Sequence, residues 1–333
     1  MRDILIANDA GNDFRIEQYA EDNGNPNPGV VCMANTSRFV EAFFSEPLTT
    51  YATGWRDQEG LQQLIDFIAP PTEVPRRFEY RTFPNVEAFV TETDDVRAIG
   101  ADFKRVEYTS DKATGTTKNK GLTIRIDLDN VDQNTNWRER TVAKLQERIL
   151  RNEVRRAITL LSAAATNTAK TWDTSSGKDP DQDVLNEVIS YVGAAGVPPS
   201  NVLYDLTAWS KRILAHRAQN LAGGFASAGI TVDQVAQFVG VQRGMVARHM
   251  YQSSPTAKLG ILGGNRVLVF LANPNQSIDD PSNIKRFVTQ TMGGTMVRVY
   301  EQQVTMKLVD ITVEIYSDTV ITSTLGVRQL TIS

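Results

Sequence analysis

Neutral-pH chemistry in this chain would have to begin from His216 and His249, its two histidines and the side chains that titrate nearest neutrality. Each stands beside an arginine, Arg217 and Arg248 respectively, but the sequence supplies no partner constellation. There is no nucleophile elbow, no HExxH helix, no Walker loop and no paired-cysteine spacing. Gly260-Ile261-Leu262-Gly263-Gly264 has the glycine density of a phosphate loop. It lacks the Lys-Ser/Thr ending and precedes a strand pattern, so it reads as a turn. Asp94-Asp95 and Asp127-Leu128-Asp129 offer carboxylates to a cation, but on a solvent-facing hairpin they read as surface charge. Cys32 is the lone cysteine, which excludes an internal disulfide framework and a cysteine metal cluster; it reads as an idle thiol in a reducing cytoplasm. The expectation is no catalysis, no cofactor and no bound metal.

A polyanion surface is the remaining candidate, and it sits on a long helix. Residues 136–165 set Val142, Leu145, Ile149, Val154, Ile158 and Leu161 on one apolar stripe behind an Asn136 cap. At 1.5 Å per residue this element is about 43 Å long. Its other face carries Arg138, Arg140, Lys144, Arg148, Arg151, Arg155 and Arg156 against Glu139, Glu147 and Glu153. Two readings stand: a solvated face with i,i+4 pairs such as Glu147 to Arg151, or a surface turned toward a polyanion. The net charge of -4 over 333 residues demands no nucleic acid by itself.

The elements around this helix are unusual for a self-contained domain. With 41% apolar and 22% charged residues the chain has ordinary globular composition, and no segment has the ~18 apolar residues of a membrane helix. The first apolar run is also too short for a signal peptide. Residues 1–35 are polar and irregular, with Asn23-Gly24-Asn25-Pro26-Asn27-Pro28-Gly29 unable to hold a helix, and read as an extended arm pinned by a neighbour. Short helices follow near 38–44 and 56–69, the second stopped by Pro70-Pro71.

Alternation then appears around Phe78 and Tyr80, and again at Leu122, Ile124, Ile126 and Leu128. The two runs are expected to pair as a hairpin with arms of about 20 residues, reaching roughly 65 Å. A compact chain of this length has a radius of gyration near ~20 Å. Such an arm must lie on another molecule, most simply a second copy.

Beyond a loop at 172–180 the pattern becomes mixed α/β. Pro180 opens a helix stopped by Gly196, residues 201–204 form a strand, and 207–219 form a helix with Trp209 and Ile213 inward. The Gly/Ala-rich stretch 221–229 reads as a loop, Thr231 caps a helix, and strands follow near 245–251 and 266–271. Residues 295–316 form a strand pair that returns to the long helix.

This order of elements resembles the major capsid proteins of tailed double-stranded DNA bacteriophages, a fold shared with encapsulins. Ile68-Ala69-Pro70-Pro71-Thr72-Glu73-Val74-Pro75-Arg76-Arg77-Phe78-Glu79-Tyr80 is similar to the family's proline-containing approach to its β-arm. Asp95-Val96-Arg97-Ala98-Ile99-Gly100-Ala101 is similar to its arm tip, and Lys120-Gly121-Leu122-Thr123-Ile124-Arg125-Ile126 to its return strand. Val202-Leu203-Tyr204-Asp205-Leu206-Thr207-Ala208-Trp209 is similar to the strand and tryptophan-bearing helix of its distal domain.

The resemblance implies an α+β chain. Residues 1–60 would be an N-terminal arm with a short helix, 61–73 a second short helix and 74–130 the extended β-hairpin arm. Residues 131–179 would hold the spine helix and peripheral domain, 180–283 an axial α/β domain, and 284–333 C-terminal strands returning to the peripheral domain. It implies a non-enzymatic virion protein that self-assembles in the host cytoplasm into pentamers and hexamers of an icosahedral shell, which encloses double-stranded DNA and matures from a procapsid. Portal, scaffold and cement proteins would be further partners, and no membrane is involved. Phe78, Tyr80, Arg97, Phe103, Lys104 and Tyr108 would touch a neighbouring copy. Arg148, Arg151 and Arg155 would face DNA, and Gly223, Gly224 and Phe225 would form an axial-domain loop. The alternative within the fold is an encapsulin-type compartment around a cargo enzyme. Lys104, Lys112, Lys118 and Lys120 lie in the arm, but no partner asparagine for a covalent crosslink is matched, and the short arm before Leu61 argues against a cleaved scaffold segment.

Overall fold

A computed structural model describes residues 5–7, 13–15, 43–84, 95–97, 102–103, 110–131, 136–219, 222–252, 254–291 and 294–333. The chain begins with a paired β1 (Leu5–Ala7) and β2 (Asp13–Arg15), then α1 (Glu46–Gly54), α2 (Leu61–Ile68) and β3 (Pro71–Glu73). β4 (Arg77–Thr82), β5 (Asp111–Thr116), β6 (Lys118–Asp127) and the spine helix α3 (Trp137–Ala164) follow. Next come β7 (Thr166–Lys170), α4 (Pro180–Ala195), β8 (Asn201–Asp205), α5 (Leu206–Ala218), α6 (Ala222–Ala228) and α7 (Val232–Phe238). β9 (Arg243–Ala247), β10 (Met250–Gln252), β11 (Lys258–Gly260), β12 (Arg266–Phe270), β13 (Ile284–Val288), β14 (Val297–Gln303), β15 (Leu308–Ile321) and β16 (Arg328–Ile332) complete it.

Two sheets are joined by the spine helix. In the first, the fourteen-residue β15 pairs with β14 on one side and β6 on the other, and its far end pairs with β13, which carries β3. In the second, the order is β7-β16-β12-β8-β9. The N-terminal half of α3 buries Val142, Leu145 and Ile149 against Val309, Ile311 and Val313 of the first sheet. Its C-terminal half buries Val154, Ile158 and Leu161 against Leu203, Leu268 and Phe270 of the second. Period-two alternation sends Val202, Tyr204, Val267 and Val269 to the other face, under α4 and α7. At about 1.5–3 kcal/mol per large apolar side chain, this continuous stripe is what fixes the sheets to one helix.

Local signals account for much of this. Asp179 caps α4 by accepting from the backbone of Asp181 and Gln182, Pro180 occupies the first turn, and Gly196 ends the helix in the left-handed region. Thr231 and Gln234 form a reciprocal capping box on α7.

Four expectations are corrected. β4 does not pair with residues 122–128 but antiparallel with β5, Thr82 opposite Asp111 and Arg77 opposite Thr116. Residues 122–128 instead lie on β15 and α3, because the alternation of β6 matches that of Ile311, Val313 and Ile315 and finds the larger apolar surface there. The helix expected over 56–69 starts at Leu61, since Gly60 stands in the left-handed region and Asp57 accepts from the backbone of Glu59 and Gln62. The C-terminal strands do not all stay with the first sheet: β16 crosses to the second, between β12 and β7. Residues 222–228 are helical rather than a loop. A Cβ on Gly224 would lie 2.5 Å from the carbonyl oxygen of His216, so the glycine lets α6 approach the end of α5 closely.

Within the first sheet, Lys285 of β13 is fully buried, with Nζ donating to the carbonyls of Ser277 (2.8 Å) and Ile278 (3.0 Å). Desolvation lowers its pKa from 10.5 to about 8, against the attraction of Asp280 and Asp279. Between those values the unfolded chain binds more protons than the folded one, so this lysine makes stability rise with pH across that window. The shift corresponds to about 3 kcal/mol. Denaturant titration of unassembled subunits is expected to show a rise from pH 7 to alkaline pH that Lys285→Met removes. Identical pH profiles for the two proteins would contradict this assignment.

Candidate assembly surfaces

The root of the arm is held firmly inside its own chain. Phe78 is 7% exposed, its ring lying 4.4 Å from that of Phe287 and directly over Gly115, where a Cβ would come within 2.7 Å of it. Tyr80 packs 5.4 Å from Phe287 on the same cluster. Arg81 reaches Asp279 at 3.0 Å and donates to Ser110 across the β4–β5 pair. Phe83 continues β4 onto the end of β15, its N–H donating to Thr322. The expected contact of Phe78 with a neighbouring copy is therefore corrected: its aromatic face is consumed by the chain's own core, and Tyr80 is partly so.

Farther along, Val96 and Phe103 are 75% and 77% exposed, and the Arg97 guanidinium lies 4.7 Å over the Phe103 ring. An exposed aromatic ring under a stacked cation, with an exposed valine beside that arginine in sequence, is a surface suited to burial by another molecule. Lys104 and Tyr108, like most of the N-terminal arm, Cys32 and residues 38–42 of the helix expected at 38–44, lie outside the described residues.

The cationic face of the spine helix divides into three parts. Arg140, Lys144 and Arg148 form an exposed row with no carboxylate partner among the described residues. Arg151, expected to face DNA, is bound by Glu147 and Glu59, each at 2.8 Å. Arg155 is exposed and stacks 3.9 Å over Tyr251. Beneath it, Glu153 is 1% exposed and accepts from Lys120 (2.7 Å), Arg156 (2.7 Å) and Ser317 (3.0 Å), tying β6, the spine helix and β15 together.

A second charged cluster lies under the outer helices of the second sheet. Arg212 is fully buried on α5 and makes a two-pronged pair with Asp181, at 2.6 and 2.7 Å. It also donates to the Ser227 carbonyl of α6, and His216 Nε2 lies 3.2 Å from Asp181. The inward face of α5 is thus Ala208, Arg212, Ala215 and His216, with the half-buried Trp209 packed 5.3 Å from the ring of Tyr204 as expected, while Ile213 is half-buried. The sequence reading missed Arg212. The signal available was its i,i+4 spacing with His216, downstream of the acidic first turn of α4. His249 is held elsewhere, its Nε2 at 2.6 Å from the Glu59 carbonyl, so the two histidines do not share a partner. Gly223 and Gly224 lie in α6, and Phe225 falls in the same helix.

No protein-family model matches the sequence, and no curated protein matches it. Solved structures do match in shape. A phage-related protein from Bordetella bronchiseptica is 17% identical and aligns over 86% of this chain and 96% of its own, with a TM-score of 0.62. The capsid structure of cyanophage P-SCSP1u aligns over 81% of this chain and 88% of its own at 8% identity and a TM-score of 0.53. A chain of Gordonia phage Cozz aligns over 84% and 89% at 12% identity and a TM-score of 0.50.

The chain is thus α+β, with a paired arm root, a spine helix and a second mixed sheet. The fold is that of the major capsid proteins of tailed bacteriophages.

Proposed function

We propose that the chain is a non-enzymatic structural subunit that self-assembles in the host cytoplasm into pentamers and hexamers of an icosahedral phage shell around double-stranded DNA. The observation that carries this reading is the arm root: two strands anchored by Phe78, Phe287 and Arg81 flank about 25 residues of sequence, in which Val96 and Phe103 are exposed. Anchoring the root so firmly while leaving apolar residues uncovered fits a clamp on an adjacent copy. Arg97, Phe103, Lys104 and Tyr108 are its proposed contacts. Residues 131–165 and the first sheet would form the peripheral part, and the second sheet with α4 to α7 the axial part. Maturation from a procapsid, and portal, scaffold and cement partners, follow from the same reading.

Assembly is tested by light scattering over rising protein concentration in several salts. Particles far larger than a subunit are expected; a monomer under every condition would sink the proposal.

Contact with DNA is assigned to the exposed row Arg140, Lys144 and Arg148, since packaged phosphates are bound electrostatically and without sequence preference. Replacing all three with serine is expected to lower the nucleic acid retained by purified particles while leaving assembly yield close to wild type. Parallel loss of both would favour a structural role for the row.

A further inference from the structure

Residues 276–280, in the loop between β12 and β13, fold back over Lys285. Its ammonium is fully buried and donates to two carbonyls of that loop, Ser277 at 2.8 Å and Ile278 at 3.0 Å. No carboxylate pairs with it among the described residues. Asp279 is turned to Arg81 at 3.0 Å, and Asp280 accepts from Asn273 at 2.6 Å and from Ser282. An ammonium buried against carbonyls alone is poorly compensated for its lost hydration, so any motion that lifts the loop and wets it is favoured by the charge.

The same loop is the seat of the arm root. Ile278 packs into the cluster of Val74, Phe78, Tyr80 and Phe287, and Arg81 of β4 holds Asp279. Phe287, two residues from Lys285 on the same face of β13, carries the Phe78 ring at 4.4 Å. From β15, Val320 stands opposite Lys285 and Asp318 opposite Phe287, with Asp318 paired to Lys118 of β6 at 3.3 Å. The charged and titratable groups around Lys285 are thus Asp279 and Asp280 of the loop, Tyr80 and Arg81 of β4, and the Asp318–Lys118 pair.

A protonated Lys285 returns its charge to water when the loop lifts, whereas a neutral one gains nothing by it. Burial lowers its pKa from 10.5 to about 8, so the seat is loosest below pH 8 and tightens as pH rises toward 10.5. Tyr80 is pushed above its ordinary range by burial and by Asp318, away from the window in which Lys285 changes charge.

We propose that the buried charge of Lys285 is a release device for the arm: it lets the 276–280 loop and the β4–β5 root seated on it open as one local unit while the rest of the subunit stays folded. The device belongs to the single subunit, and only the use of a freed arm on a neighbour rests on the shell reading.

Backbone hydrogen exchange of unassembled subunits provides the test, read as protection factors so that the intrinsic pH dependence of exchange cancels. At pH 7 the β4–β5 ladder is expected to be less protected than the β8–β12 ladder, and its protection should rise about tenfold between pH 7 and 9. Lys285→Met should flatten that rise. Arg81→Gln, at a partly exposed position, leaves Lys285 in place but cuts the tie from loop to β4. In that variant residues 276–280 should keep the pH dependence and the β4–β5 ladder should lose most of it, a result that stands even if Lys285→Met does not fold. An arm ladder as protected as β8–β12, or equally protected at both pH values, would overturn the proposal and leave the shell reading standing. A rise that survives in Lys285→Met, or one kept in full by β4–β5 in Arg81→Gln, would overturn it as well.

Discussion

Replacing Asp181 with alanine is expected to destabilise the subunit by about 3–5 kcal/mol, because it leaves a buried guanidinium without its counter-charge. Arg212 is 0% exposed and spends its Nε and Nη2 on the two carboxylate oxygens of Asp181, so it has no path to water when they are removed. The contrast with Glu153 sharpens this. Glu153 is as deeply buried, but its partners Lys120 and Arg156 keep 14% and 49% of their side chains exposed and can turn to solvent. Glu153→Ala is therefore expected to cost less than Asp181→Ala. Adding Arg212→Met to Asp181→Ala should restore much of the loss, since the stranded charge is gone. Urea titration of unassembled subunits measures all three. An Asp181→Ala variant within about 1 kcal/mol of wild type would mean that Arg212 is solvated in a way this structure does not contain.

Removing the arm is expected to abolish normal shell formation while sparing the subunit. Residues 85–109 can be replaced by a short Asn-Gly turn that leaves the β4–β5 ladder from Thr82–Asp111 to Arg77–Thr116 in place. The bonds of Phe83 to Thr322 and Ser323, and the Phe78–Phe287 contact, also remain. Circular dichroism and the cooperativity of melting should stay close to the parent protein under conditions that keep both unassembled. Particles should be absent or misshapen. Normal shells of parental stability from the shortened chain would remove the arm from its proposed role as a clamp.

The sequence disclosed those elements whose signals are local. The spine helix followed from one apolar stripe behind Asn136, and α4 from Asp179, Pro180 and Gly196. Partner choice was harder. Both Thr82–Asp111 and a pairing with residues 122–128 satisfy alternation, and only the distant β15, beginning at Leu308, decides between them. α6 was hidden because Gly and Ala mark it as a loop by propensity, whereas packing against His216 selects a helix that only a glycine permits. At the assembly surfaces, spacing located the cationic face of the spine helix but not which charges were neutralised. Arg151 is bound by Glu59, 92 residues away in sequence, a pair that no periodicity encodes. Arg212 was overlooked because a charged residue on an amphipathic helix is read as outward unless its buried counter-charge is known.

Negative-stain electron microscopy of the expressed full-length chain tests the central claim most directly. Closed, uniformly sized shells built from one protein are the expected result. A field holding only isolated subunits or small open oligomers, at high concentration and across several salts, would contradict the account that this chain's anchored arm and spine helix exist to build a capsid.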